Sequence, residues 1–306
     1  LALDRAAEAG ALARAAVDDL PDDERVLAVA AHDYVAAEDS ADPEAALALL
    51  DRIAALPERK AAEDDPTAVR PEQLVRIRFL AETAAGRHRA ALATAERLAA
   101  LAPSDPSLQL VVGEAARRAG DLPAAAAAYR RAVDAVPSAT AWRENLVQIL
   151  LELPDRVEEA LAETEALLAA APSSRSVRML RARALVRAAE LRPDAPDEAA
   201  VVYRRLLREK PDDLDVLRNL AALLYDWKAG GQDGAYLDEA HAHLRRYVRL
   251  GGELDGPLER AWQALESRAA ARGEDDPARA ARRAFVEQHG DAARATDLVE
   301  ALSTAG

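Results

Sequence analysis

The sequence contains no cysteine, and only 4 % of its 306 residues are aromatic. Without cysteine, disulfides, thiolate metal sites and cysteine nucleophiles are excluded. No apolar run approaches the roughly 18 residues that a membrane-spanning helix needs, so we expect no membrane span. Runs of β-branched and aromatic residues, which mark strands, are also missing. We therefore expect an all-α protein.

The charge balance is acidic, with 54 Asp and Glu residues against 40 Lys and Arg residues and a formal net charge of −14. This balance disfavours nonspecific binding to nucleic acid or to anionic membranes, so we expect no nucleic-acid partner. Alanine dominates the apolar residues. An alanine core buries little area per residue, so helices must approach one another closely to gain dispersion contacts.

The chain begins at Leu1 rather than at methionine, and no signal peptide is visible. We expect either that something has been removed from the chain or that its start is missing. The sequence leaves both a cytoplasmic location and export after processing open. The abundance of alanine, together with the excess of arginine over lysine, indicates a GC-rich bacterial genome.

Prolines close a series of apolar segments at separations of 46, 34, 35 and 39 residues, namely Pro57, Pro103, Pro137, Pro172 and Pro211. About twelve residues before each proline stands an alanine: Ala45, Ala91, Ala125, Ala160 and Ala199. Four residues after these alanines come Leu49, Ala95, Tyr129, Thr164 and Tyr203. Each segment follows a turn and another amphipathic stretch, so the pattern predicts repeated pairs of helices.

This pattern resembles the tetratricopeptide repeat, a helix–turn–helix unit of about 34 residues. Residues 106–137 carry the resemblance best, through Gly113, Gly120, Asp121, Ala125, Tyr129, Ala132 and Pro137. The resemblance implies that the small residues let two antiparallel helices touch and that Tyr129 fills the gap between units. It also implies a right-handed α-solenoid of about six to seven such units. A bare αα-repeat of another type is the structural alternative.

The repeat pattern gives an expected domain organisation. The six units are 22–57, 70–103, 106–137, 139–172, 174–211 and 214–250, between an N-terminal capping helix at 1–21 and a C-terminal helix pair with a terminal helix at 251–306. In the second unit, Phe79 stands where a small residue is expected. The charged stretch 58–71 contains two prolines, and we interpret it as a long loop between units rather than as a domain boundary.

The sequence shows no catalytic constellation, so we expect no enzyme activity, no cofactor and no metal. Glu239 and His243 share a helix face and could hold a metal weakly, although a solvated pair is the simpler interpretation. The segment "GGQDG" at 230–234 lacks the preceding strand and the lysine–hydroxyl pair of a phosphate-binding loop, so we interpret it as a surface loop.

First helices of tetratricopeptide repeats line a concave groove. Five residues stand near groove-facing places and are our candidate protein-binding residues: Arg143, Arg183, Arg218, Asn219 and Tyr225. Arginines favour an acidic peptide or a carboxylate. The alternative is that they pair with neighbouring acids such as Glu144, Asp215 and Asp226. The family's lysine–asparagine clamp is not expected, because the three lysines, Lys60, Lys210 and Lys228, stand elsewhere.

We therefore expect a non-enzymatic scaffold that binds a protein or peptide partner through its groove or its end helices, and the arginines favour an acidic partner. The alternative is a structural subunit that assembles end to end with other copies of itself into a homo-oligomer or a helical filament. That alternative is based on the apolar residues of the two end segments: Leu1, Leu3, Leu12, Val17 and Leu20, and Leu298, Val299 and Leu302. An enzyme with an unrecognised site is a third, weaker possibility.

Overall fold

A computed structural model describes residues 2–36, 41–56, 68–228 and 234–271. Within these ranges the chain forms fourteen α-helices and two short 3-10 turns, and it forms no strand. The all-α class predicted from the sequence is therefore confirmed. Residues 272–306 of the predicted C-terminal segment 251–306 lie outside the described residues, and so do Pro57 and most of the 58–71 stretch.

The helices follow one another at short intervals along the chain. They are α1 (Ala2–Ala16), α2 (Glu24–Ala36), α3 (Pro43–Ala55), α4 (Pro71–Ala84), α5 (His88–Leu101), α6 (Ser107–Arg118), α7 (Leu122–Ala135), α8 (Thr140–Glu152), α9 (Val157–Ala170), α10 (Arg175–Arg187), α11 (Ala195–Glu209), α12 (Leu214–Lys228), α13 (Gly234–Arg249) and α14 (Gly256–Ala271).

The chain divides into two compact units, unit 1 from Leu1 to Pro154 and unit 2 from Asp155 to Gly306. In unit 1, helices α1 to α8 pack in sequence, each against the next, and α2 also contacts α4. In unit 2, helices α9 to α14 follow the same rule, and α12 also contacts α14. Contacts between neighbours in sequence are what a stack of helix pairs produces.

The predicted prolines mark the ends of helices. Helices α5, α7, α9 and α11 each end two residues before their proline, at Leu101, Ala135, Ala170 and Glu209. A proline ring disfavours a helical conformation in the residue before it and clashes with the carbonyl one turn back, so the helix stops there.

The alanines at the starts of these four helices lie in the core. Ala91, Ala125, Ala160 and Ala199 are at most 2 % exposed. The residues four positions later, including Tyr129 and Tyr203, are at most 5 % exposed. Residues four apart share a helix face, so one buried stripe explains both series.

The unit at 106–137 shows why small residues are needed between paired helices. A Cβ added to Gly113 of α6 would lie 3.0 Å from ring atoms of Tyr129 on α7. The turn between the two helices places Gly120 at φ 79°, a backbone conformation that favours glycine. Asp121 then accepts a hydrogen bond from the Ala124 N–H at 3.0 Å and caps α7.

In the preceding unit, 70–103, the large and the small residue of this helix contact are exchanged. Large Phe79 on α4 replaces the small residue, while Ala95 on α5 replaces the tyrosine. Ala95 is 1 % exposed within a core cluster of α4 to α7, and Phe79 packs against that cluster while remaining half-buried. The large residue is therefore accommodated without a break in the helix stack.

We predict that Gly252→Ala lowers the free energy of unfolding by about 1–3 kcal/mol, the usual cost of overpacking a buried contact. An alanine Cβ at this position would lie 2.4 Å from the Tyr247 ring. That ring is held in place, because its hydroxyl donates to the Glu253 carbonyl at 2.9 Å. Urea unfolding followed by circular dichroism measures the loss.

Gly256→Ala is the matched control for this prediction. The nearest atom to its added Cβ is Arg260 Nη1 at 3.9 Å, an ordinary contact. Alanine is also the better helix former at the start of α14, so the control keeps or raises stability. Equal losses in the two variants would contradict the proposed clash with Tyr247.

Candidate binding surfaces

A cleft of about 330 Å³ lies in unit 1 between α4, the start of α5, and α6. We call it the unit-1 cleft, and nine residues line it: Phe79, Thr83, His88, Ala91, Leu110, Val111, Glu114, Ala115 and Arg118. Its volume is at the low end of the range for small-molecule pockets. The space is therefore suited to one or two side chains rather than to a large cofactor.

Two polar residues of this cleft, Thr83 and Glu114, already have partners. The Thr83 hydroxyl donates to the Phe79 carbonyl at 2.7 Å. The Glu114 carboxylate accepts hydrogen bonds from Arg117 at 2.9 and 2.8 Å and from Arg118 at 2.8 Å. What remains free for contact is mainly the carbon surface of the aromatic and aliphatic residues.

Two guanidinium groups set the electrostatics of Glu114. Hydrogen bonds from Arg117, followed by those from Arg118, lower the pKa of Glu114 to about 2. Glu114 is consequently ionised at neutral pH. The three side chains form a charged border beside the apolar wall formed by Leu110 and Val111.

The start of α5, at the other side of the cleft, is basic. Arg87, His88 and Arg89 begin this helix, no acidic residue stands in its first turn, and no side chain caps it. By contrast, Asp42 caps α3 and Asp121 caps α7. The N-terminus of a helix carries a partial positive charge from the helix dipole, and the basic side chains at the start of α5 add to that charge.

Among the residues that the structure describes, acids neutralise only part of that charge. Arg87 forms an ion pair with Glu44 at 2.5 Å. Exposed Arg89 forms no ion pair with the part of the chain that the structure describes.

Helix α10 carries five arginines in unit 2, and three of them are paired with acids. Arg175 pairs with Asp213, and Arg178 binds both carboxylate oxygens of Glu209 at 2.6 and 2.8 Å. The Arg181 side chain, 14 % exposed, lies 3.2 Å from the Glu165 carboxylate. These pairs tie α10 to its neighbours.

Arg183 and Arg187 differ from the other three. Both are exposed on α10, and neither has an ion pair among residues 2–36, 41–56, 68–228 and 234–271. They stand four residues apart and therefore share a helix face. Half-buried Met179 precedes Arg183 by the same interval. We call this strip the α10 arginine face.

The structure distributes the other predicted groove residues as follows. Arg143 lies half-buried on α8 of unit 1, where it donates to the Pro137 carbonyl at 3.3 Å. Arg218, Asn219 and Tyr225 lie on α12. Arg218 and Tyr225 are seven residues apart and share a face, whereas Asn219 lies about 100° round the helix from Arg218.

Arg218 has an acidic partner that sequence reasoning missed. It pairs with Asp255, just before α14, rather than with Asp215 or Asp226. The pairing depends on how α14 packs beside α12, and the local sequence contains no signal for it.

In the weak metal candidate formed by Glu239 and His243, the Glu239 carboxylate is bound by Arg204. Both oxygens of Glu239 accept hydrogen bonds from Arg204 at 2.7 Å, and His243 Nε2 is 3.5 Å away. Burial lowers the pKa of His243. Within the described ranges, no group of three potential metal ligands converges. Of the predicted surface loop at 230–234, the described ranges include only Gly234.

None of the helices that the structure describes is both long and apolar enough to cross a bilayer.

Phe79, Leu110 and Val111 were not predicted as binding residues. The available signal was Phe79 itself, a large residue at a position where the repeat pattern expects a small one.

Comparisons with known proteins agree with the repeat pattern. A family model described as tetratricopeptide repeat matches residues 116–184. No curated protein sequence matches the chain significantly.

Two solved structures share the fold. A tetratricopeptide repeat protein from Parabacteroides merdae is 16 % identical, with a TM-score of 0.56 over 92 % of this chain and 98 % of that chain. The C-terminal part of a repeat-containing protein from Cytophaga hutchinsonii is 14 % identical, with a TM-score of 0.58 over 85 % and 95 %. The resemblance inferred from the sequence is confirmed.

We predict that Glu114→Gln makes stability less sensitive to acid. Because the pKa of Glu114 is lowered from 4.5 to about 2, its ion pairs stabilise the folded protein fully above pH 4.5 and are lost as the pH falls towards 2. The wild-type protein should therefore lose more unfolding free energy than the variant over this interval. Urea unfolding at a series of pH values measures the difference.

The matched control is Glu96→Gln on α5, an exposed glutamate with no ion pair in the described part of the chain. This variant should follow the wild-type acid dependence. A Glu114→Gln curve parallel to the wild type between pH 4.5 and 2 would contradict the role given to Arg117 and Arg118.

Proposed function

We propose that this chain, a helical repeat protein of the tetratricopeptide repeat family, is a non-enzymatic scaffold that binds an acidic segment of another protein. Proteins of this family bind protein or peptide partners. Within unit 2, the partner would lie along first helices of the repeats, over the predicted groove residues Arg183, Arg218, Asn219 and Tyr225.

The α10 arginine face is the observation that carries this proposal. In a chain of net charge −14, acids are plentiful enough to neutralise surface arginines, as they do for Arg175 and Arg178. Arg183 and Arg187 have no such partner in the described residues. Two cations one turn apart form a place where carboxylates of a partner replace water without displacing an internal ion pair.

A photo-crosslinking experiment tests the proposal. A photoreactive amino acid replaces Met179, which shares the face of Arg183, or Val201, which is 60 % exposed on neighbouring α11. Irradiation in the cells that produce the protein should give discrete adducts at position 179 and few at position 201. Mass spectrometry of the adducts should show a segment rich in Asp and Glu.

Charge reversal at the two arginines provides the second arm. Arg183→Glu together with Arg187→Glu should reduce adducts at position 179 about tenfold, since like charges then face each other across the interface. The double variant Arg208→Glu and Arg249→Glu changes two other exposed arginines by the same charge. Adducts that survive the first pair of changes, or that the second pair removes equally, would refute binding at the α10 arginine face.

A second candidate function is self-assembly through the N-terminal end. Leu12 on α1 is 70 % exposed, and Leu20, four residues after the end of that helix, is 48 % exposed. Large apolar side chains with this exposure are suited to contact with another copy. Val17, from the same predicted face, packs instead against the core of unit 1. Leu1, the side chain of Leu3, and Leu298, Val299 and Leu302 lie outside what the structure describes.

For this candidate we predict association that Leu12→Lys abolishes and Leu101→Lys leaves intact. Leu101 is 40 % exposed at the end of α5 and serves as the matched control. Light scattering and negative-stain microscopy over a wide range of protein concentration measure the assembly. A wild-type protein that stays monomeric at the highest concentration removes both the oligomer and the filament.

A further inference from the structure

We infer that the unit-1 cleft is a second docking site, which takes one large apolar side chain of a partner peptide with a carboxylate beside it. The inference rests on the proposed scaffold function and adds to it a separate site with its own partner chemistry. It concerns residues of α4, α5 and α6 that were not among the predicted groove residues.

The interior of the cleft selects for an apolar group. Phe79, Leu110 and Val111 supply exposed carbon at its walls, and buried Ala91 and Ala115 contribute small residues to the lining. Thr83 and Glu114 have internal hydrogen-bond partners, so a polar side chain packed against Phe79, Leu110 and Val111 would lose water without gaining a partner there. Exposed His88 and Arg118 are the lining residues left for polar contact. A leucine, methionine or phenylalanine loses nothing comparable and removes apolar area from water.

The size of the cleft limits its occupant to a side chain. At about 330 Å³ it is too small to enclose a folded element, and it opens between two first helices, where a peptide can continue on either side. An extended peptide with a single anchor therefore fits better than an amphipathic helix, which needs a row of anchors along a groove.

Charge complementarity supplies the acidic part of the inference. Arg118 lines the cleft, Arg117 precedes it on α6, and Arg87 and Arg89 flank His88 of the lining. Within the described residues, the glutamates paired with these four arginines are Glu44 and Glu114. The uncapped N-terminus of α5 adds partial positive charge at His88. A carboxylate next to the anchor residue would meet this excess, while the rest of a chain of net charge −14 repels it.

Selection from a library of random peptides displayed on phage tests the inference with the full chain as bait. The enriched peptides should share one large apolar residue within a few positions of Asp or Glu. A peptide synthesised from their consensus should bind the wild-type protein in fluorescence anisotropy. Its apolar residue changed to serine, or its acid changed to lysine, should weaken binding at least tenfold.

Variants of the protein locate the binding site. Leu110→Glu places a charge in the apolar wall and should raise Kd at least tenfold, whereas Leu101→Glu, outside the cleft, should not change it. Arg89→Glu should raise Kd several-fold, and Arg97→Glu, an exposed arginine further along α5, should have little effect. If Leu110→Glu loses helical circular dichroism, Leu110→Ser replaces it, with a smaller loss of affinity expected.

Several outcomes overturn the inference. These are a selection without enriched peptides, a consensus without acidic residues, and peptides that bind Leu110→Glu as tightly as the wild type. Enrichment of sequences from this chain itself, or light scattering in which Leu110→Glu dissolves an oligomer, would assign the cleft to self-contact instead. The scaffold function fails separately, since it depends on adducts at position 179 in unit 2 and on Arg183 and Arg187.

Discussion

Close approach of paired helices is the constraint on which the rest of the structure depends. Alanine buries little area, so an alanine-rich core is stable only where helices touch nearly backbone to backbone. Ala125 and Ala132 are fully buried for this reason, and Gly113 leaves room for the ring of Tyr129. The prolines and the Gly120 turn then fix where each helix ends, so that the small residues of neighbouring helices meet.

The sequence predicts those parts of the structure that depend on neighbours along the chain. The all-α class, the repeated small residues and the helix ends two residues before Pro103, Pro137, Pro172 and Pro211 all follow from local periodicity. These features require only propensity, turn chemistry and the positions of proline. The family resemblance rested on the same residues.

The candidate surfaces were less predictable, because they depend on which charges meet across helices. The sequence shows five arginines on α10, but it does not reveal that Arg178 reaches Glu209 while Arg183 reaches no acid in the described ranges. The pairing of Arg218 with Asp255 likewise spans 37 residues. Such contacts are determined by the packing angle between helices, and a hydrophobic pattern does not encode that angle to the accuracy of an ion pair.

The exchanged sizes at Phe79 and Ala95 have a consequence for how recognition sites arise in repeat proteins. Between paired helices, volume is conserved when a large and a small residue trade places, so the stack tolerates the exchange. The relocated ring nonetheless alters the surface of the first helices, where it helps to enclose the unit-1 cleft. A repeat array can thereby acquire new binding clefts one repeat at a time, without insertions and without disturbing adjacent repeats.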